Sequence, residues 1–586
     1  MWPALSDTAR FNEAATLPKH EIEELPQPDG SVRYLARARI GPLTLAWEEQ
    51  PVNWVHEQWF EHCRRFLNGP LEFLCATARM FPEPDGCRCE YTVRVAARSL
   101  LGEVMLRSGF FARIDKTFSP LAQSARDFAA GRRATPFDCK RPALAAGGAQ
   151  RAAEAARRID ATPHGHGVAE KLADLVLQSQ EVDVWSIRPL ALARQWGISE
   201  RQAVELCLEA AKQGLLRMRW DLLCPRCQVG KGSVFALDEL PRGAHCATCN
   251  IDYDQDFSNN VELVFQPASS VRPMESGEYC LFGPMSTPHI KVQLTLEPGE
   301  VRDVPVVLPF GHYRVRTLEP GGEQSFEWRE GGFPQVTTDG DVVRAGAPAQ
   351  PDLLRLRNVA ERRLTLIVEE HAWKRDVLTA KRATTYQTFR DLFTDQVLRP
   401  GDDVSIDHVT IMFTDLKGST ALYERIGDPI AYALVREHFA ILGRAVRESD
   451  GAIVKTIGDA IMAVFVNPAD ALRCAVRIHA DFASYNETSS GEPLIIKLGL
   501  HIGRCISVTL NDRLDYYGTS ANKAARLQGQ SIGGDIVLSP EFAADPMVAP
   551  LLERFTVREE RAELKGFDEP IRFYRIPAES LAPCPI

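Results

Sequence analysis
The chain has 586 residues, 45% of them hydrophobic and 25% charged, and its formal net charge is −10. At roughly 100–200 residues per domain, that length predicts three to five domains with apolar side chains enough for several cores. The acidic balance argues against a general binder of nucleic acid or membrane surfaces, and no run of about 18 apolar residues offers a membrane span.

The first residues, MWPALSDTARFNEAA, lack the basic-then-apolar build of a signal peptide. Fourteen cysteines, most scattered singly, fit a reduced cytoplasm. Residues 1–130 read as a mixed domain. Val32 to Ile40 and Leu43 to Glu48 are short β-prone segments parted by Gly41-Pro42. Asn53 to Phe66, with Trp54, Trp59 and Phe60, is expected to be an amphipathic helix. Cys89 to Ala97 alternates like a strand, and Ile114 to Ala130 reads helical. This order resembles the START-like helix-grip fold, and the resemblance implies a cavity for a small apolar ligand. The tryptophans Trp47, Trp54 and Trp59 are expected to fill a core.

Residues 131–165, rich in Ala, Arg and Gly, read as a linker with some helix. Residues 166–220 read as helices ending in a strand. Ser199 caps a helix with Gln202 three residues on, that helix stops near Gly214, and Leu215 to Trp220 is strand-like. The segment resembles a winged helix-turn-helix. Its cations Arg194, Arg201, Lys212, Arg217 and Arg219 are available to DNA, but the acidic chain argues against that use.

Residues 221–256 hold Cys224-Pro225-Arg226-Cys227 and Cys246-Ala247-Thr248-Cys249. Paired CxxC knuckles at this spacing predict a zinc ribbon with one structural Zn²⁺, the four thiolates leaving no open position for catalysis. His245 is expected to be a neighbour rather than a ligand, and Cys87 and Cys89 to have no metal role. Residues 257–372 read as an antiparallel β-sandwich with strands at Val261–Phe265, Ile290–Leu296, Val304–Leu308, His312–Thr317, Leu353–Asn358 and Arg363–Glu369. Residues 373–402 form a connector, helical over 373–398 and ending at Pro400-Gly401.

The densest chemistry lies in 403–578. The apolar run Val409 to Thr414 ends at Asp415, followed by Leu416-Lys417-Gly418-Ser419-Thr420 and a helix. A carboxylate at a strand end holds a cation, while the free N–H groups of Gly418, Ser419 and Thr420 favour a phosphate. Ile453 to Phe465 reads as a hairpin with Gly458-Asp459 at its tip, so a second carboxylate sits on a neighbouring strand turn. Two such aspartates can share two metal ions. Leu498 to Arg504 is a strand with Arg504 at its end. Beyond it, Asn522 and Arg526 are four apart and so share one helix face.

The motifs F-T-D-L-K-G-S-T, K-T-I-G-D, L-G-L-H-x-G-R and D-x-x-G-x-x-x-N-x-x-x-R resemble, in order and spacing, those of class III adenylate/guanylate cyclases. The resemblance covers about residues 408–576. It implies an α+β multidomain protein whose C-terminal domain is ferredoxin-like, βαββαβ. It assigns Asp415, Asp459 and the Leu416 carbonyl to two Mg²⁺ or Mn²⁺ per active site. It makes Lys455 and Asp515 the purine-selecting pair, with Asn522 on the ribose, Arg526 on the transition state and Arg504 on the polyphosphate. Phe567, not the neighbouring Lys565, aligns where the family can offer a further phosphate lysine. Thr519 and Ala525 depart from the usual asparagine and serine, and neither is a direct ligand.

Lysine and aspartate complement the acceptor and donor on the adenine edge, and guanine presents the reverse pattern. A site whose buried polar groups go unpaired discriminates by several kcal/mol. The implied protein is therefore an adenylate cyclase making 3′,5′-cyclic AMP from ATP by two-metal in-line attack. It would work as a head-to-tail homodimer under the control of upstream domains that take a small ligand or protein partner. Two competing readings stay open: a guanylate cyclase, and a zinc-ribbon, winged-helix regulator whose cyclase domain only binds nucleotide.

Overall fold
A computed structural model describes the chain except residues 29–30, 41–42, 139–140, 247–248, 250, 275–276, 278, 281–282, 330–331, 349–351, 371–375, 400, 490, 564–568 and 582–586. Lys565 and Phe567 therefore lie outside the described residues. No helix among those described is long and apolar enough to cross a membrane.

In the N-terminal region a single helical turn, Trp2–Leu5, precedes helix α1 (Thr8–Ala14). Seven strands follow: β1 (Glu21–Pro26), β2 (Val32–Ile40), β3 (Leu43–Glu49), β4 (Asn53–Val55), β5 (Trp59–Phe66), β6 (Leu71–Glu83) and β7 (Gly86–Ala97). Period-2 alternation drives them: in β2, Tyr34, Ala36 and Ala38 are buried while Arg33 and Arg37 are exposed. Helix α2 (Phe111–Ala129) completes the region.

The helix expected over Asn53–Phe66 is instead a hairpin. Trp54 pairs with Phe60 across a turn that holds Glu57 at φ 60°. Bulky aromatics suit a pleated face better than a helix turn, and burial of Trp54 and Phe60 on one side overrides the helical spacing. Cys63 and Cys75, expected as free thiols, pair across β5 and β6 with Cα atoms 4.2 Å apart and are joined as a disulfide.

The residues expected to be a linker contain helix α3 (Gly148–Asp160), whose Ala152, Ala155, Ala156 and Ile159 are buried in the next core. Helices α4 (Ala169–Gln178), α5 (Glu181–Val184), α6 (Pro189–Trp196) and α7 (Glu200–Lys212) follow. Ser199 and Gln202 form the expected capping box of α7. Strand β8 (Leu216–Leu223) leads to β9 (Gly230–Val234), β10 (Gly243–Cys246), β11 (Ile251–Asp254) and β12 (Val261–Pro267). β12, expected in the sandwich, pairs with β8 instead, in the order β12-β8-β9. Its nearly uninterrupted burial shows that both its faces are covered.

The sandwich strands are β13 (Ile290–Leu296), β14 (Val301–Pro305), β15 (Gly311–Thr317), β16 (Glu323–Trp328), β17 (Pro334–Thr338), β18 (Val343–Pro348), β19 (Leu353–Asn358) and β20 (Leu364–Glu370). One layer, β14-β19-β17-β18, packs on β13, β20 and β15. That second layer is continuous with the N-terminal sheet through β4 and β13, so one 11-stranded sheet joins two regions that read as separate domains.

The connector is not one long helix. Two short helices, α8 (Ala380–Ala383) and α9 (Gln387–Leu392), flank Thr384 and Thr385. The Thr384 hydroxyl bonds back to the Ala380 carbonyl, an alternative partner that competes with helix continuation.

The C-terminal domain contains β21 (Asp403–Leu416), α10 (Ser419–Ile426), α11 (Asp428–Glu448), β22 (Gly451–Ile457), β23 (Ala460–Phe465), α12 (Pro468–Thr488), β24 (Ile496–Leu510), β25 (Arg513–Tyr517), α13 (Thr519–Gly529), β26 (Ile536–Leu538), β27 (Arg558–Ala562) and β28 (Ile571–Ile576). The sheet runs β22-β23-β21-β24-β26-β28-β27, with β25 folded back on β24. α11 and α12 cover one face, where Met412, Ile461 and Leu498 join their core. Val409, Ile411 and Val464 on the other face share a core with α3 to α7 and the connector. Both faces of β21 are thus buried, which accounts for its unbroken apolar run.

Candidate active site and cysteine cluster
Asp415 stands at the end of β21, just before the turn whose Gly418 caps α10. Thr414 pairs with Ile461 one residue before Asp415, which sets Asp459 beside it. Asp459 follows Gly458 in a two-residue turn between Ile457 and Ala460. Gly458 sits there at φ 64°, which glycine adopts without strain. Burial pushes the Asp415 carboxyl up, and the charge of Asp459 pushes it further, against Lys497 and the Gln528 side chain. One oxygen of Asp459 and the hydroxyl of Tyr423 are buried without a hydrogen-bond partner among the described residues. Two half-buried carboxylates with an unsatisfied oxygen are short of positive charge, so the donor set fits a divalent cation.

His438 on α11 is fully buried and its Nε2 donates to the Asp459 carbonyl at 2.9 Å, fixing the turn. Burial pushes its imidazole down, which keeps it neutral. His438 and Tyr423 were not singled out in the sequence. Their roles depend on contacts that α10 and α11 make with a hairpin some 20 to 36 residues away, and no local spacing encodes them.

On the far part of the hairpin, Lys455 Nζ donates to Asp515 Oδ2 at 2.6 Å. Asp515 is nearly buried and its other oxygen accepts the Tyr516 N–H at 2.7 Å, while Lys455 remains 37% exposed. The pair is therefore assembled within one protomer, and its lysine keeps donors open to solvent.

α13 carries Asn522 and Arg526 on an exposed face. Neither side chain makes a hydrogen bond or ion pair with Asp415 or Asp459 among the described residues. The glycines of the L-G-L-H-I-G-R strand explain how α13 sits so close. A Cβ on Gly499 would strike the Gln528 backbone, and one on Gly503 the Ser520 hydroxyl. Arg504 is not at a strand end: β24 runs on to Leu510. Asp415 pairs with Lys497, so Arg504 lies seven residues further, about 23 Å of strand at about 3.3 Å per residue. Its guanidinium pairs with Asp407 at 3.0 Å and remains 77% exposed. Within one protomer, Arg504 is not brought to the aspartates.

The connector grips the surroundings of Lys455 and Asp515. Ile453 N donates to the Gln387 side chain at 2.8 Å, two residues before Lys455. Thr384 and Tyr516 share a hydroxyl contact at 3.0 Å. Arg390 donates to the Leu514 carbonyl at 2.9 Å and lies over the Tyr516 ring. The cations considered for DNA are engaged in the same assembly. Arg194 pairs with Asp376 and Lys212 donates to the Leu392 carbonyl. Arg201 pairs with Glu205 and Asp450, and Arg219 is buried against Asp221. Arg217 stacks on Phe235.

Cys224, Cys227, Cys246 and Cys249 are all buried, with their sulfurs within 4.8 Å of one another. Cys227 and Cys246 stand 3.8 Å apart. That is the edge of a tetrahedron with Zn–S bonds of about 2.3 Å, about 3.8 Å, so the quartet fits Zn²⁺. Mutual hydrogen bonding pushes the thiols of Cys224 and Cys246 down and those of Cys227 and Cys249 up, as expected of four sulfurs sharing protons. His245 bonds to Asp252 instead of joining the cluster.

Residues 402–576 match the family model of the adenylate and guanylate cyclase catalytic domain, and residues 156–279 match a family of unknown function, DUF5939. An adenylate cyclase of Lachancea kluyveri is 32% identical over 179 residues, which are 27% of this chain and 10% of that protein. One from Anabaena cylindrica is 30% identical over 191 residues, 30% of this chain and 38% of that protein. The chain thus spans a minor part of the length of these relatives. Among solved structures, the adenylyl cyclase CyaB from P. aeruginosa matches at 21% identity and a TM-score of 0.27, over 30% of this chain and 95% of that one.

Proposed function
We propose that this chain, whose residues 402–576 belong to the adenylate and guanylate cyclase catalytic family, converts ATP to 3′,5′-cyclic AMP and pyrophosphate. One observation carries the reading: Asp415 and Asp459 form a half-buried acidic pair on neighbouring strand ends, with an Asp459 oxygen left unpartnered. Asp415, Asp459 and the Leu416 carbonyl would hold two Mg²⁺ or Mn²⁺. Bound there, the ions supply neutralisation of the triphosphate and activation of the attacking hydroxyl.

The chain's own groups do the rest. The Lys455 ammonium donates to adenine N1 and Asp515 accepts from the amino group, each keeping its bond to the other. The N–H groups at Gly418, Ser419 and Thr420 face phosphate oxygens. Asn522 orients the ribose, so that its 3′-hydroxyl attacks the α-phosphate in line and pyrophosphate leaves. Arg526 meets the charge growing on the transferring phosphate. No side chain of the set is an evident general base, so positioning and charge supply the acceleration.

Asn522 and Arg526 are exposed and unattached to the aspartates of their own protomer. A second copy, placed head to tail, would bring its lysine, asparagine and arginine to them and complete two sites. The cysteine quartet holds a structural Zn²⁺ in this reading, and the upstream regions regulate the cyclase through the connector.

Purified full-length protein incubated with Mn²⁺ and either ATP or GTP tests the function. Cyclic AMP from ATP, abolished in Asp459→Ala, supports it. Hydrolysis without cyclisation, or cyclic GMP in preference, overturns it.

A further inference from the structure
Strands β3, β5, β6 and β7 and helices α1 and α2 line a cavity of about 630 Å³. This lies in the range that buries a drug-sized molecule. Most of its wall is apolar, with Leu45, Phe66, Leu74, Met105 and Phe118 facing it. Besides neutral groups such as Asn12 and Thr117, its polar side chains are basic. His20, His62, Arg64 and Arg113 line it, and no aspartate or glutamate among the described residues does.

One carboxylate, Glu49, stands behind the wall, 1% exposed. It is already engaged: Trp47 Nε1 donates to it at 2.7 Å and His62 Nε2 contacts it at 2.6 Å, with Arg64 Nε 3.1 Å away. His20 is left over. It is 3% exposed, its Nε2 is 4.0 Å from Glu49, and that atom has no hydrogen-bond partner among the described residues. Arg64 Nε is likewise buried without a hydrogen bond in line. A buried ring nitrogen without a partner is costly, and an anionic acceptor entering the cavity satisfies the protonated imidazole and adds a partner to the Arg64 guanidinium beside it. Among the described lining residues a cationic ligand would find no acceptor of opposite charge.

We propose that this cavity binds an apolar molecule carrying one anionic head group, the head received by His20 and Arg64 and the body by the aromatic wall.

Helix α1 gives such a ligand a way to be felt elsewhere. Its Thr8, Phe11 and Asn12 line the cavity, and Phe11 packs against Tyr91 and Phe118 at ring distances of 5.9 and 5.0 Å. Its remaining face docks α5 in the next region. Arg10 donates to Asp183 at 2.9 Å, and the Glu13 carboxylate accepts the Val182 N–H at 3.0 Å. Filling the cavity therefore stiffens the helix on which α5 is seated.

The test uses full-length protein and does not rest on the cyclase reading. Dodecanoate, 2-naphthoate, methyl dodecanoate and dodecyltrimethylammonium are titrated calorimetrically. At least one acid should bind one-to-one, and dodecanoate at least tenfold more tightly than its ester or the ammonium. His20→Asn should erase most of that tenfold preference, and Thr117→Trp, on the cavity wall of α2, should abolish binding. Amide exchange in 181–184 should slow when the acid is bound. Failure of both acids to bind, equal binding of acid, ester and ammonium, or unchanged binding by Thr117→Trp would overturn the proposal.

Discussion
The side-chain carbonyl of Gln387 accepts the backbone N–H of Ile453 at 2.8 Å, so the connector holds the strand that carries Lys455. Arg390 and Thr384 hold the strand of Asp515 from the same side. A displacement of the connector therefore acts on both Lys455 and Asp515. Gln387→Ala removes a bond worth about 0.5–1.5 kcal/mol and leaves the Ile453 N–H unpaired. The KM for ATP should rise roughly three- to tenfold, with metal stoichiometry unchanged. An unaltered KM would separate the connector from nucleotide binding.

The Lys455–Asp515 bond predicts a base switch. Lys455→Glu with Asp515→Cys removes the donor and acceptor that suit adenine. The ratio of kcat/KM for ATP over GTP should fall at least 100-fold, in line with the several kcal/mol at stake when a polar edge is mismatched. Rates with both nucleotides, measured at saturating Mn²⁺, check it.

Glu205 ties α7 to the connector. His166 Nε2 and Arg201 Nε each contact it at 3.0 Å, and Thr388 donates to it at 3.4 Å. Burial pushes the carboxyl up, but His164 and Arg201 hold it down to about 2. A depressed carboxylate stabilises the fold above its unfolded value near 4.5, and that contribution is lost as pH falls toward 2. Wild type should therefore lose thermal stability between about pH 4.5 and 2 more steeply than Glu205→Gln, which should be the less stable of the two at pH 7. Parallel melting curves for the two proteins across that range would contradict the assignment.

Zinc removal should act on the same region. Cys246→Ser should lower bound zinc by one equivalent per chain and lower the melting temperature, since the quartet fits a structural ion. Elemental analysis of wild type and variant reads it directly. Equal zinc in both would exclude the quartet as the site.

The nearness of Asp415 to Asp459, the approach of Lys455 to Asp515 and the shared α13 face of Asn522 and Arg526 were legible because fixed residue types stand at fixed local spacing. The glycines of L-G-L-H-I-G-R belong with them, since α13 could not approach β24 without them. The Asn53–Phe66 hairpin was not legible, because apolar residues of a short hairpin can match helical spacing until Trp54 and Phe60 find each other across the turn. The broken connector depends on Thr384 meeting Tyr516 from 132 residues away. His438 and Gln387 escaped for the same reason. Arg504 was placed at a strand end because its charge interrupts the buried apolar run, although the strand goes on through Cys505, Ile506 and Val508 to Leu510.

The central claim is that one copy's aspartates work with the other copy's α13. Asp459→Ala and Arg526→Ala should each be inactive alone. Co-refolded in equal amounts, half the dimers would be mixed, each with one intact site, giving about a quarter of wild-type activity. Cyclic AMP production near that level is the predicted result, and a mixture as inactive as its two components would contradict the account.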